Sequence, residues 1–392
     1  MTVRSHFQAQ AAACAQRGSP FTARLLELAA ERLDETRHVG RAILRWPGNP
    51  KADALALRLA AALHALVLSG VSPELAAVYP GGPHSGNPAA LGPALTRAFE
   101  AQGAVIADFL ARPPQTNEVG RSAVLLGGFL SVAAETGLPL RLLELGASAG
   151  LNLFWDAYAY DLAGAAWGPP DAPLRLCPDW QGTLPPLVPA VIRSRRGCDR
   201  TPLDPSDAGD RLRLRAYVWA DQVDRRHRLE VALDLVAGSG VRVERADAAQ
   251  WAEARLSERA PGEAVVLYHS IVWQYLPPAV KRRIAAAIER AAAGATSPCP
   301  LAWLRMEPAR DARHAELRLT LWPGGHERLL AEADYHGRWI RWLATRRGLP
   351  PASSGRRPAA GVKVRRAAGA FWEGGRRHSP EGSLATSMPR LM

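Results

Sequence analysis

Residues 140–156, LRLLELGASAGLNLFWD, hold the densest cluster of chemically capable positions in the chain. A nearly continuous apolar run ends at Glu144, and Gly146, Ser148 and Gly150 then alternate with alanines before a segment able to start a helix. Glycines at such a place let backbone N–H groups approach a ligand, and a helix N-terminus adds partial positive charge. A tight strand-to-helix turn with no ligand gives the same string.

Three ligand chemistries use loops of this kind. A dinucleotide loop, G-x-G-x-x-G, needs glycine at its middle position for the pyrophosphate to fit; Ser148 stands there, which disfavours NAD and FAD. GASAG also matches G-x-S-x-G, the nucleophile elbow of serine hydrolases, with Ser148 as nucleophile and His269 or His326 as base. That fold places strands upstream of the elbow, where this chain reads as helical. The third chemistry is S-adenosylmethionine over an E-x-G-x-x-x-G loop, a cofactor without a pyrophosphate.

Acids follow in order behind later apolar runs. Asp199 stands behind LVPAVI (187–192), Asp247 behind VRVERAD (241–247), and His269 and Ser270 close AVVLYHS (264–270). Each acid alone also fits a helix cap or a solvated turn. Together with the glycine loop the series resembles a class I S-adenosylmethionine-dependent methyltransferase. That resemblance implies a methionine pocket shaped by Gly146, Ser148 and Gly150, with Glu144 at the amino group, Asp199 at the ribose and Asp247 at the adenine. His269 would activate or orient the acceptor. Ser148 departs from a frequent glycine, and 49 residues separate Gly150 from Asp199, where roughly 20 are usual in a dinucleotide unit.

Other polar residues have two readings each. Gln115, Thr116, Asn117 and Glu118 are either an N-cap and solvated turn or a group that reaches over the cleft to bind substrate. Tyr275 and Glu307 are substrate contacts or, for Glu307, half of a salt bridge. His269 is a base near neutral pH or a hydrogen-bonded structural residue. Arg225, Arg226 and Arg228 read as a solvated helix face. His326 and His336, even with Asp334, lack a compact ligand spacing, so no metal is assigned.

These residues require elements to position them. Residues 1–137 read as helices; Leu55, Leu59, Leu63 and Leu66 recur at helical spacing, and a second helix runs from Asn117 to Gly137. From Pro139 short apolar runs alternate with helical stretches, which predicts a doubly wound, mostly parallel sheet. PLAWLRM (300–306) is its fifth strand, and two runs around Pro323, Gly324 and Gly325 predict an antiparallel hairpin at its C-terminal edge. The expected division is a helical cap (1–137), an α/β domain (138–342) with an inserted flap at 154–190, and an irregular tail (343–392). Seven prolines between Pro169 and Pro189 argue against a helix in the flap.

The chain has 392 residues, 47% hydrophobic and 22% charged, with a formal charge of +12. Ten Lys or Arg and two acids lie from Arg346 onward, so +8 belongs to the tail and +4 to everything before it. Nucleic-acid contact would therefore be weak and confined to the tail. Four cysteines, Cys14, Cys177, Cys198 and Cys299, form no C-x-x-C pair, which suits a reducing cytoplasm. No apolar leader and no run of about 18 apolar residues suggests membrane contact.

The strings PPQTNEVGR, LLELGASAGLNL, RAYVWADQ, YHSIVWQYLP, LAWLRMEP and LRLTLWPGG resemble the bacterial family known as domain of unknown function 2332, from about residue 5 to Trp342. The resemblance implies a methyltransferase-like sheet and carries no assigned activity. The expected function is methyl transfer from S-adenosylmethionine to a small-molecule acceptor. The alternatives are a serine hydrolase using Ser148, or a methyltransferase-like fold that only binds. The sequence does not specify an oligomeric state. Truncation after Trp342 is expected to leave the fold intact and abolish weak, salt-sensitive DNA binding, measured by filter binding across a salt series.

Overall fold

Eight helices precede the first strand: α1 (Val3–Gln16), α2 (Pro20–Arg32), α3 (His38–Leu44), α4 (Leu55–Leu68), α5 (Pro73–Val78), α6 (Leu91–Ala101), α7 (Gly103–Ala111) and α8 (Arg121–Thr136). Leu55, Leu59, Leu63 and Leu66 of α4 are fully buried, as their spacing requires. Helices α1–α7 share one apolar cluster. Helix α8 does not join it; Val124, Leu126, Phe129 and Leu130 pack in the cluster that covers one face of the sheet. Gly127 and Gly128 permit that seating, since a Cβ on either would come within 2.3 Å of Trp342 or Leu304. The computed structural model describes residues 2–344, all within one compact unit. The expected irregular tail lies, from residue 345, outside the described residues.

The α/β part runs β1 (Leu140–Leu145), β2 (Ala159–Leu162), β3 (Ala165–Trp167), β4 (Arg175–Leu176), β5 (Asp179–Gly182), β6 (Ile192–Asp199), α9 (Ala208–Ala216), α10 (Val223–Ser239), β7 (Glu244–Arg245), α11 (Ala248–Ser257), β8 (Ala264–Ser270), α12 (Pro278–Ala293), β9 (Leu301–Pro308), β10 (Ala315–Trp322), β11 (Glu327–Ala333) and β12 (Trp339–Trp342). Nine strands form one sheet in the order β5-β12-β11-β10-β9-β8-β1-β6-β7. All neighbours from β7 to β9 are parallel. The direction of winding reverses between β1 and β8. Side chains alternate along β1 and β8: Leu142, Val266 and Tyr268 face the cluster containing α8 and α10, and Leu143, Leu145, Val265 and Leu267 face α11 and α12. Among the described residues no helix is long and apolar enough to cross a membrane.

Several expectations need correction. LVPAVI is not a strand; the strand starts at its last residue, Ile192, and continues through Arg193, Arg195 and Arg196. Pro189 has no N–H for a ladder, and the short β7 covers only the end of β6, so arginines fit along it. Arg195 pairs with Asp156 at 2.7 Å and lies over the Phe154 ring. The third strand shrinks to Glu244–Arg245. The segment after the glycine loop, Leu151–Ala157, is a 3₁₀ helix with a break at Phe154 rather than an α-helix. The β10–β11 hairpin is present but not at the edge, because β12 and then β5 extend the sheet beyond it. Strand β5 comes from the inserted segment, whose β2, β3 and β4 form a separate small sheet.

Trp342 joins these parts, stacking on Trp180 of β5 at 5.9 Å while α8 lies against its ring. Trp342→Ala is expected to lower stability by about 3–5 kcal/mol, read as a lower denaturation midpoint.

Candidate functional site

The loop after β1 has positive φ at Gly146 (69°), Ser148 (55°) and Gly150 (79°). Gly146 is required by contact, because a Cβ there would lie 2.1 Å from Val272 Cγ2 in the loop after β8. The loop's amides are already engaged. Ala147 N donates to Cys198 O (3.0 Å) and Gly150 N to Ala147 O (2.7 Å). Ser148 N donates to Asp199 Oδ2 at 3.0 Å, and Ala149 N and Leu151 N both donate to Asn117 Oδ1, at 3.2 and 3.0 Å. The expectation that these N–H groups face a ligand is therefore not met. Asn117 is also not the helix N-cap, since α8 begins at Arg121 and the Asn117 side chain is committed to the loop.

The loop after β8 is built the same way. Glu307 Oε1, at the end of β9, accepts from His269 Nδ1 (2.6 Å), Val272 N (3.0 Å) and Trp273 N (3.1 Å). Burial pushes the Glu307 carboxyl up, and these three bonds outweigh it and hold it below the usual range. His269 is fully buried, stacked on Trp273, and its Nε2 accepts from Trp303 Nε1 at 3.2 Å. Both ring nitrogens are occupied inside the protein, so His269 is a structural residue and not a base for an acceptor.

A cavity of about 810 Å³ opens between these strand ends and the helical region. Of the residues singled out in the sequence, Gln115, Thr116, Glu118, Gly146, Ser148, Asp199, Arg225, Ser270, Tyr275 and His336 line it. Asn117, Gly150, His269 and Glu307 do not; they brace the lining loops from behind. Glu144 is also off the wall, buried and accepting from Tyr268 OH at 3.1 Å. Asp247 lies elsewhere and caps α11, accepting from Ala249 N (3.1 Å) and Gln250 N (3.0 Å).

Glu118 is 7% exposed and pairs with Arg225, whose Nε is 2.8 Å from Oε2. Burial would raise its pKa, yet the positive charges of its arginine neighbours, Arg225 first and then Arg228 and Arg121, prevail and bring it to about 2. The reading of Arg225 as solvated is thus corrected. Asp199, already accepting from Ser148 N, also accepts from Thr201 N at 2.9 Å. Gln115 Nε2 donates to Thr201 O at 2.6 Å.

Several lining residues were not singled out: Arg58, His64, Tyr79, Arg121 and Tyr217, with His336 noted only as a metal candidate. Burial brings His64 and His336 to about 4, so both are neutral at pH 7. The hydroxyls of Ser148, Tyr79 and Tyr217 are buried without a hydrogen-bond partner among the described residues. Orphaned polar atoms on a cavity wall mark where a ligand would bond. Two of the missed residues lay in strings already noted, Arg121 in PPQTNEVGR and Tyr217 in RAYVWADQ; Arg58, His64 and Tyr79 lay in none.

No group of three or more His, Cys, Asp or Glu side chains among the described residues could hold a metal ion. Over residues 4–342 the chain matches a family described as uncharacterized proteins conserved in bacteria, domain of unknown function 2332. It belongs to that family. No curated protein and no solved structure matches it.

Glu144 generates a pH prediction. Burial lifts its carboxyl to about 8, against partial relief from Tyr268 and Arg121. The folded state then holds a proton that the unfolded chain releases near pH 4.5. Stability is full below that pH and falls as pH rises toward 8. Glu144→Gln should flatten this slope and be more stable above pH 8 by roughly a few kcal/mol, measured by urea denaturation at several pH values.

Proposed function

We propose that the protein is an S-adenosylmethionine-dependent methyltransferase whose cavity binds the cofactor at the sheet end and a small acceptor beneath the helices. The observation that carries this reading is the convergence of the orphaned Ser148 hydroxyl and the Asp199 carboxylate on one cavity wall, at the reversal of strand order. Ligands of open sheets wound in both directions bind outside the carboxyl ends of the strands at that reversal. The parallel half follows the Rossmann-like order third-second-first-fourth-fifth. The occupied loop amides argue against a phosphate cradle and favour a ligand without pyrophosphate.

When bound, S-adenosylmethionine supplies a methyl group on a sulfonium. Asp199 would hold the ribose hydroxyls and Ser148 Oγ would donate to the ligand. Arg121, whose guanidinium donates to Ser270 O (3.1 Å) and Tyr335 O (3.2 Å) and meets no carboxylate within 4 Å among the described residues, suits the methionine carboxylate. Displacement at a sulfonium requires chiefly alignment and exclusion of water, which the braced loops and the covering helices supply. Glu144, Asp247 and His269 have no direct part in this version.

The hydrolase alternative loses its base: His269 is enclosed, and His326 is exposed away from the cavity wall. The binding-only alternative would be favoured by a filled cleft, yet no residue of 154–190 lines the cavity. Titration calorimetry with S-adenosylmethionine and S-adenosylhomocysteine tests the proposal; micromolar binding is expected, and none at millimolar ligand refutes it. Ser148→Ala should leave the melting temperature unchanged and weaken binding about five- to tenfold.

A further inference from the structure

The helical half of the cavity has its own recognition chemistry. Arg58 and His64 lie six residues apart on α4 and, with Ala61 between them, present one face to the cavity. Arg58 is 8% exposed. Its Nε donates to Asp53 O and its Nη1 to Leu110 O, both at 2.7 Å. No carboxylate stands within 4 Å of it among the described residues, so a nearly buried guanidinium is held by neutral carbonyls and by the Trp46 ring, 5.4 Å away. Arg17 adds a second positive charge to this wall, and Asp53 one negative charge, its carboxylate accepting from Trp46 Nε1 at 2.7 Å. The balance is one positive charge.

Two tyrosines stand on the same lining. Tyr79 and Tyr217 are 2% and 7% exposed, line the cavity, and have hydroxyls with no partner among the described residues. Burial raises both phenols, Tyr217 to about 12, so each keeps its proton and can donate. The intervening surface is apolar, from Phe21, Leu25 and Leu57. We infer that this half of the cavity binds a monocarboxylate attached to an apolar body, its carboxylate received by Arg58 and the two tyrosine hydroxyls. A phosphate dianion suits it less well, because His64 stays neutral and the loop amides are occupied. Identifying the monocarboxylate with the methyl acceptor rests on the proposed function; the binding itself does not.

The test uses the full chain without S-adenosylmethionine. Phenylacetate and hexanoate are titrated calorimetrically against phenylacetamide, hexanamide and phenyl phosphate. The acids should bind at least tenfold tighter than their amides and tighter than the phosphate. Tyr79→Phe and Tyr217→Phe should each weaken phenylacetate about tenfold or more while leaving the melting temperature equal or higher, since each removes an unpaired buried hydroxyl. A merely structural tyrosine hydroxyl would lower the melting temperature instead. Equal binding of acids and amides, preference for the phosphate, no binding of either acid at millimolar concentration, or unaltered affinity in both variants overturns the inference. Phenylacetate binding alongside failed S-adenosylhomocysteine binding would leave the subsite standing and remove only the methyltransferase reading.

Discussion

The buried turn at residues 146–150 governs how the sheet and its surroundings meet. Ala147, Ala149 and Leu151 are essentially inaccessible, so each amide there must find a protein acceptor or forfeit about 1–3 kcal/mol. The acceptors come from three places: Asn117 before α8, Cys198 O and Asp199 at the end of β6, and the turn itself. Satisfying this one turn therefore fixes the approach of α8, the relation of β1 to β6, and the placement of Ser148 on the cavity lining. Glu307 does the same for the loop after β8, collecting two amides and the His269 ring. Both walls of the strand-order reversal are thus set before any ligand arrives, as a preorganised site demands.

The helices above the cavity are joined to the rest of the chain by a small apolar cluster, Ala61 and Ala65 with Ala216 and Tyr217, and by polar bonds. Asp221 accepts from Ser19 Oγ at 2.5 Å and Phe21 N at 3.0 Å, which anchors the start of α2. Gln222 and Arg338 both donate to Arg17 O, at 3.3 and 3.1 Å. The segment from Tyr217 to Gln222 connects α9 to α10; its first four residues line the cavity, and its last two, Asp221 and Gln222, carry three of these four bonds. The two larger apolar clusters are separate, and these anchors tie the elements that carry them.

Much of this was legible in the sequence where one short-range rule decided the outcome. The leucine spacing of α4 and the apolar runs of β1, β8 and β9 give those elements, because burial on one or both faces dominates there. The second and third strands were misplaced because β6 owes its pairing to its neighbours. Its Arg195 and Arg196 are satisfied by Asp156 and by Glu244 of β7, partners that no local pattern announces. Asn117 shows the same limit: its residue type fits a cap, and only the tertiary approach of the glycine turn shows that it serves a different backbone. Asp199 was found at the cavity because strand-end position alone places it there. Glu144 was not, since the alternation of β1 sends it toward Tyr268. Arg58 sits within an ordinary helical segment and Tyr79 just past one, and what sets them apart is a missing carboxylate for the first and a missing hydroxyl partner for the second.

Charge makes that last point general. Much of the +12 lies beyond the described residues, and a solvated positive charge is screened within about 10 Å at ordinary salt. At the cavity the sum matters less than which charges are already matched. Arg225 is neutralised by Glu118, while Arg58 and Arg121 are held by carbonyls. A carboxylate 4 Å from such a group gains about 4 kcal/mol at an effective dielectric of about 20, before desolvation is subtracted. Two guanidiniums on one cavity lining, neither with a carboxylate within 4 Å among the described residues, would on the proposed reading each favour an anionic group of a ligand there more than a distant, screened surface charge could.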